Sequence, residues 1–168
     1  TLIFRRFIKQ TLTDALRHLP EILFGSLRGF LMYWAGNLLV TMLILWLDPD
    51  FININDATIG TMVQRDFLPL AICTIFFVPV TEELLFRGVL FAGFYNRSPI
   101  KAFIFSVMVF SAIHVIGYIP DYSWDTLLLC FLQYIPAGIC LAWAYANADS
   151  IVAPMLIHIF VNAVGMLS

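Results

Sequence analysis

Charged residues are scarce in this sequence. Its 168 residues include 9 Lys and Arg and 11 Asp and Glu, so only 12% of the chain is charged. Soluble domains carry about 25% charged and about 45–50% apolar residues, whereas 61% of this chain is hydrophobic. The composition excludes a soluble globule and predicts a single integral membrane domain over residues 1–168. No basic patch is present, so nucleic acid is not expected as a partner.

Reactive cysteines and the common hydrolase motifs are also lacking. The three cysteines lie in apolar runs without metal-ligand spacing, so we interpret Cys73, Cys130 and Cys140 as packing or lipid-facing residues. There is no HExxH zinc motif, and no Ser or Cys stands in a nucleophile elbow. The first 20 residues show no signal-peptide pattern, and because residue 1 is Thr we expect the sequence to be part of a longer chain.

Long apolar stretches dominate what the sequence does contain. A helix of roughly 20 apolar residues crosses a bilayer, and the candidate spans are 22–47, 67–95, 102–119, 126–146 (interrupted by Pro136 and Gly138) and 151–167. Residues 1–20 mix apolar and basic side chains at helical spacing and predict an amphipathic juxtamembrane helix on the membrane surface. The polar segment 48–66 is rich in turn formers and predicts a loop. The predicted fold class is therefore all-α: a polytopic transmembrane helical bundle of about five spans plus an N-terminal interfacial helix.

The distribution of basic residues predicts an orientation. Lys and Arg are enriched in cytoplasmic loops. Basic residues cluster in segment 1–20 and in the turn that carries Arg97 and Lys101, while segments 48–66 and 120–125 are mainly acidic. Five spans place the two basic segments on one side of the membrane. We therefore expect a multi-pass cell-membrane protein with its N-terminal side in the cytoplasm.

Ionisable side chains occur inside the second span. Segment Thr81–Gly88 reads TEELLFRG, so Glu82, Glu83 and Arg87 lie within a long apolar run. A charge at the centre of a membrane helix costs about 2.5–3.5 kcal/mol on insertion scales, which makes such a cluster a candidate functional site. Glu83 and Arg87 have the i, i+4 spacing, acid first, that favours an intrahelical ion pair. Glu82 is left without a partner on its own helix and is the candidate catalytic carboxylate.

Polar residues on later spans are candidate partners of Glu82. His114 lies in the third span, and His158 and Asn162 share one face of the last helix. At about 1.5 Å per residue, all four side chains lie roughly 12–20 Å from the inner ends of their helices. Two donors on one face can hold a developing oxyanion, although they equally suit hydrogen bonding between helices. Pro79 predicts a kink just before the glutamates.

Motifs built from these residues resemble one known family. Glu82–Arg87 has the pattern EExxxR, Phe110–His114 the pattern FxxxH and His158–Asn162 the pattern HxxxN, in this order on successive spans. The combination resembles the CPBP family, the CAAX proteases and bacteriocin-processing enzymes, also called the Abi family. The resemblance covers residues 67–167, which we take as the catalytic core. It implies an intramembrane glutamate endopeptidase with a helical-bundle fold.

The resemblance also implies roles for the motif residues. Glu82 would be the general base that activates water, with His114 assisting. His158 and Asn162 would form the oxyanion site. All motif positions carry the residue types of the family, which implies an active member. The supporting residues that would order and pack these groups are Glu83, Arg87 and Phe110.

The family suggests a range of substrates. Its eukaryotic branch removes a C-terminal tripeptide from prenylated proteins, and its bacterial members are linked to peptide maturation, bacteriocin self-immunity and surface-protein regulation. We therefore expect a bacterial membrane protein whose partners are the lipid bilayer and a peptide or protein substrate, which can itself be membrane-associated. A membrane-protein partner is a further candidate. No cofactor is expected.

Other functions remain open at this point. A zinc-dependent membrane peptidase could use Glu82, His114 and His158 as ligands of an open site. A non-catalytic immunity or regulatory protein could bind a partner enzyme while keeping the motifs. A proton-coupled transporter could use the same carboxylates, although the short chain shows no repeated halves. Chelation tests the first alternative, and the Glu82→Gln variant tests the second.

Overall fold

Helices make up all of the regular secondary structure in the computed structural model, which describes residues 9, 11 and 13–167. This confirms the predicted all-α class. We number the helices in chain order as α1 (Leu19–Leu47), α2 (Ile54–Arg65), α3 (Phe67–Tyr95), α4 (Pro99–Ile113), α5 (Trp124–Ala148) and α6 (Val152–Leu167).

Several helices are long and apolar enough to cross a membrane. They are α1, α3, α5, and α4 together with the short helical turn that extends it to Tyr118. Four of the predicted spans are thereby confirmed. The fifth is α6, which is apolar but has 16 residues, fewer than the roughly 20 that a full crossing requires. Exposed leucines on α1, such as Leu31 and Leu39, form the kind of apolar surface that contacts lipid. The protein is thus a multi-pass membrane protein.

The predicted N-terminal interfacial helix is described only in part. Residues 1–8, 10 and 12 lie outside the described residues. Residues 13–17 are helical, and a turn at His18 separates them from α1. The position of this segment at the membrane surface stays a prediction.

Segment 48–66 contains a helix, so the prediction of a loop was wrong. The side chain of Asn53 accepts hydrogen bonds from the backbone N–H groups of Asn55 and Asp56 and so caps the N-terminus of α2. Asn and Asp are favoured both in turns and at helix N-caps. Their presence in this segment therefore indicated a helix start as much as a turn.

Helix α5 runs without a break through Pro136 and Gly138, where the sequence predicts an interruption. Instead, these two residues bring neighbouring helices close. A Cβ placed on Gly138 would lie 3.2 Å from the Cα of Val107 in α4, and one on Gly36 of α1 would lie 3.1 Å from the Cβ of Pro136. Small residues at helix crossings are typical of membrane bundles. They allow α5 to pack centrally against α1, α4 and α6.

Helix α3 departs from regular α-helical geometry on both sides of the glutamates. It is π-helical over Cys73–Phe77 and Leu84–Phe91 and α-helical over Val78–Glu83. In the first π-helical segment the Val78 N–H donates to the Cys73 carbonyl. In this register the next donor would be residue 79, but a proline has no N–H. The sequence predicts a kink at Pro79, and the structure has a widened π-helical turn directly before this residue. Such turns are frequent at functional sites.

The main buried cluster joins the helices that carry the motifs. Its centre is the edge-to-face pair of Phe86 on α3 and Phe110 on α4, with ring centroids 5.3 Å apart. Ile22 from α1, Leu141 from α5 and Ile157 from α6 pack in the same cluster. This packing fixes the relative heights of α3, α4 and α6 and so brings their polar side chains to one level.

Candidate active site

A cavity of about 920 Å³ lies among helices α1 to α6. All four predicted catalytic residues line it: Glu82, His114, His158 and Asn162. A cavity of this size is typical of sites that hold a ligand. The structure therefore brings together the side chains that the sequence places at similar depth on separate helices.

Glu82 faces both histidines across the wall of this cavity. Its Oε2 atom lies 3.9 Å from Nε2 of His114 and 3.8 Å from Nε2 of His158. That oxygen is buried and has no hydrogen-bond partner within the described part of the chain. Buried polar atoms without a partner are rare in native proteins. These separations exceed a direct hydrogen bond, so Oε2 of Glu82 lies close to both imidazoles without being bonded to either of them.

The hydrogen bonds of the two Nδ1 atoms show that the Nε2 atoms, which face Glu82, are acceptors. Nδ1 of His114 lies 2.7 Å from the carbonyl oxygen of Phe110. A carbonyl only accepts, so this nitrogen carries the proton, and Nε2 of the neutral ring is an acceptor. Nδ1 of His158 likewise donates to Oε1 of Glu83 at 2.8 Å. Each histidine therefore presents an acceptor nitrogen to Oε2 of Glu82, an arrangement in which a proton can be shared.

Glu83 and Arg87 form the predicted ion pair and are fully buried. Nη1 of Arg87 donates to Oε1 of Glu83 at 2.9 Å, and Nη2 donates to the Gly138 carbonyl at 3.2 Å. The guanidinium carbon lies 4.7 Å from the ring centroid of Phe110, a cation–π distance. A buried carboxylate needs such a counter-ion. The pair thus supplies a fixed anionic partner for His158, a contact that sequence reasoning did not anticipate.

Asn162 is held by the irregular part of α3. Its Nδ2 donates to the carbonyl of Thr74 at 2.8 Å. This is the carbonyl that Pro79, lacking an N–H, cannot satisfy in the π-helical register. A side-chain amide nitrogen carries two hydrogens, so Asn162 has a second donor for a ligand in the cavity. The only sequence signal for this contact is the proline itself.

A polar network between α2 and α5 was missed by the sequence analysis. The side chain of Asn53 donates from Nδ2 to Gln133 Oε1 at 2.8 Å, and Tyr134 donates to Asp56 Oδ1 at 3.2 Å. These contacts connect α2 to α5 beside the cavity. The available signals were the helix-capping asparagine and the polar pair Gln133–Tyr134 inside an apolar span.

Metal binding is an alternative use of the same side chains. Across residues 9, 11 and 13–167, no group of at least three His, Cys, Asp or Glu side chains is placed to hold a metal ion. Among the proposed zinc ligands, Oε2 of Glu82 lies 3.9 Å from Nε2 of His114 and 3.8 Å from Nε2 of His158. Chelation of the active protein is the direct test.

Comparison with known proteins gives a family match over the part of the chain that carries the motifs. The family model "Rce1-like: Type II CAAX prenyl endopeptidase Rce1-like" matches residues 64–164. The chain is also 30% identical over 88 residues to the UPF0177 protein YxdF of Lactococcus lactis subsp. lactis (strain IL1403). That match covers 52% of this chain and 43% of the relative, so the chain spans less than half of the relative's length. No solved structure matches.

Proposed function

The chain belongs to the Rce1-like family of type II CAAX prenyl endopeptidases, and we propose that it is an intramembrane endopeptidase that hydrolyses a peptide bond with water activated by Glu82. One observation carries this proposal. The partnerless oxygen of Glu82 and the acceptor nitrogens of His114 and His158 converge at the wall of a large cavity inside an apolar helical bundle.

Glu82 is the base in the proposed reaction. Amide hydrolysis needs a nucleophile, a base and stabilisation of developing negative charge. Glu82 takes a proton from water while the water oxygen attacks the carbonyl carbon, so an O–H bond breaks as the C–O bond forms. His114 holds the same water through Nε2. The proton then moves to the amide nitrogen as the C–N bond breaks, which releases an amine and a carboxylic acid.

Asn162 and His158 stabilise the oxyanion in this mechanism. The second N–H of the Asn162 amide donates to the developing negative oxygen. Because its Nδ1–H is already bonded to Glu83, His158 can donate from Nε2 only if solvent has protonated that nitrogen before the reaction, and it keeps this proton through the cycle. The carboxylate of Glu83 is placed to stabilise the resulting positive charge. This assigns the adjacent glutamates different tasks in one reaction.

The substrate is proposed to be a peptide or protein that reaches the cavity from the membrane. The cavity is partly open, and its walls combine apolar side chains such as Ile59 and Val161 with the amides of Asn53 and Gln133. Such a mixture suits an amphiphilic chain segment better than a wholly aqueous ligand.

The decisive experiment compares membranes that contain wild-type protein, Glu82→Gln or Glu21→Gln by terminal proteomics. Glu21 is exposed at the start of α1 and serves as the matched control. We expect new peptide termini with wild type and Glu21→Gln, and a loss of at least about 100-fold with Glu82→Gln, the scale of general-base catalysis. Equal amounts of the same termini with Glu82→Gln would contradict the proposal.

The remaining alternatives give different outcomes. Activity that survives a strong chelator supports a metal-free mechanism, whereas loss of activity that Zn²⁺ restores supports a zinc peptidase built on the same residues. If Glu82→Gln keeps full biological activity without cleavage, the protein acts by binding a partner, as an immunity or regulatory protein would.

A further inference from the structure

Tyr134 on α5 lies outside the recognised motifs but contacts one of their histidines directly. The Tyr134 and His114 rings are stacked, with centroids 4.2 Å apart and an angle of 24° between their planes. The ring of Phe110 also contacts His114, at a centroid distance of 4.6 Å. The His114 imidazole is therefore bounded by two aromatic rings as well as bonded to a backbone carbonyl.

The hydroxyl of Tyr134 is bonded to the first turn of α2. It accepts a hydrogen bond from Nδ2 of Asn55 at 3.0 Å and donates to Oδ1 of Asp56 at 3.2 Å. Asn53, which caps the same turn, bonds to the neighbouring Gln133. One tyrosine thus contacts His114 with its ring and α2 with its hydroxyl.

The position of His114 in its helix explains why such support is needed. His114 follows the last residue of α4, and the chain then leaves the α-helical path before the short turn Ile116–Tyr118. The next residues therefore do not continue the helix around its side chain. The bond from Nδ1 to Phe110 fixes one ring atom, but the plane of the ring depends on what packs against its face.

We propose that Tyr134 is a positioning residue for His114, which sets the plane of the imidazole by stacking and connects it to helix α2 through its hydroxyl. The kinetic part of this inference rests on the proposed peptidase function, whereas the contact itself does not. Because Ile59, Gly60, Val63 and Gln64 of α2 line the same cavity, a substrate that displaces α2 also disturbs the support of His114.

Kinetics of two variants separate the ring from the hydroxyl. Tyr134→Leu removes the stack and is expected to lower kcat at least about tenfold with KM nearly unchanged, since a misplacement of about 1 Å can cost about 100-fold. Tyr134→Phe keeps the ring and is expected to retain most of the wild-type kcat. Unchanged kcat in Tyr134→Leu, or an equal loss in Tyr134→Phe, would overturn the role of stacking.

A matched control comes from the same helix. Tyr145 of α5 packs edge-to-face on Phe91, at a centroid distance of 5.6 Å, and is not among the described residues that line the cavity. Tyr145→Leu is expected to keep the wild-type kcat. In a His114→Ala background the effect of Tyr134→Leu should vanish, because residues that act through one another are not additive. If Tyr134→Leu lowers kcat by the same factor in the His114→Ala background, Tyr134 does not act through His114 and its role is purely structural.

Chemical modification provides a readout that needs no substrate. Diethyl pyrocarbonate reacts with free imidazole nitrogens, and mass spectrometry reports the rate at His114, with the exposed His18 as internal reference. Tyr134→Leu should speed the reaction at His114 severalfold and leave His18 unchanged, while Tyr134→Phe should resemble wild type. An unchanged His114 rate in Tyr134→Leu overturns the inference. If the modification rates are as expected but the protein shows no peptidase activity, the proposed function is overturned and the contact between Tyr134 and His114 still stands.

Discussion

Glu82 and Glu83 are adjacent in the sequence but have opposite surroundings. Successive residues of a helix point about 100° apart. Glu83 is therefore turned into the core, where Arg87 and His158 bond to it, while Glu82 is 22% exposed and faces the cavity. Within the described residues each carboxylate has one oxygen without a hydrogen-bond partner, but only Glu82 lines the cavity, whereas the charge of Glu83 is neutralised by fixed partners.

At the level of single residues, the buried ion pair gives a stability prediction. Arg87→Met leaves Glu83 buried without its counter-ion, and removal of one partner of a buried pair costs about 3–5 kcal/mol. We expect a clearly lower melting temperature in detergent. Arg97→Met, at an exposed turn, is the matched control and should shift stability by no more than about 0.5 kcal/mol. Equal melting temperatures for the two variants would show that the pair does not hold the core.

The i, i+4 ion pair was predictable from the sequence because both partners lie on one helical turn. The tautomers of His114 and His158 were not predictable. They depend on the Phe110 carbonyl and the Glu83 carboxylate, and the second of these contacts joins residues 75 positions apart.

At the level of helices, α3 shows how an irregular segment can build a site. Its π-helical turns shift the register of the side chains, and the carbonyl of Thr74 is bonded by Asn162 rather than by the backbone of residue 79. The sequence predicted an irregularity at Pro79 but not its consequence. Whether a freed carbonyl meets water, a side chain or another helix depends on the packing of α6.

Pro79→Ala tests this connection. An N–H at residue 79 would compete with Asn162 for the Thr74 carbonyl, so Asn162 would lose its fixed position. We expect kcat to fall at least about tenfold, since loss of an oxyanion donor costs about 100- to 1,000-fold. The melting temperature should stay equal or rise, because a proline inside a helix costs about 3 kcal/mol.

Pro69→Ala is the control for this prediction. Pro69 is exposed in the first turn of α3, where backbone N–H groups need no helical partner. Its replacement should leave kcat unchanged. Wild-type kcat in Pro79→Ala, or equal losses in both variants, would contradict the link between Pro79 and Asn162.

At the level of the whole molecule, the alternation of helices and the basic segments together predict a topology. With the N-terminal side in the cytoplasm, α1 leads out and α3 leads back, so the turn at Asn96 is cytoplasmic and the turn at Asp121 lies outside. In the same predicted topology, helix α6, about 24 Å long at 1.5 Å per residue, begins on the cytoplasmic side and carries His158 and Asn162 toward the centre of the bilayer.

Cysteine labelling in intact bacterial cells checks this orientation. Cys73, Cys130 and Cys140 are first replaced, and single cysteines are introduced by Asn96→Cys and Asp121→Cys. A membrane-impermeant maleimide should label position 121 in intact cells and position 96 only after permeabilisation. The reverse pattern would place the N-terminal side outside the cell, and labelling of both in intact cells would contradict the span between them.

The sequence by itself determined the membrane class, four of the spans, the Glu83–Arg87 pair and the set of motif residues that meet at one depth. These features depend on composition, on helical periodicity and on neighbours within one turn, all of which are local. It did not determine helix α2, because the same residue types begin turns and helices.

Only the tertiary structure decided which atoms face one another: Glu82 Oε2 toward two imidazole nitrogens, Asn162 on the Thr74 carbonyl, and Tyr134 on the ring of His114. The physical reason is that these contacts cross between helices. Their geometry follows from how large rings, glycines and a proline let the helices approach, and periodicity along one chain segment carries no information about that approach.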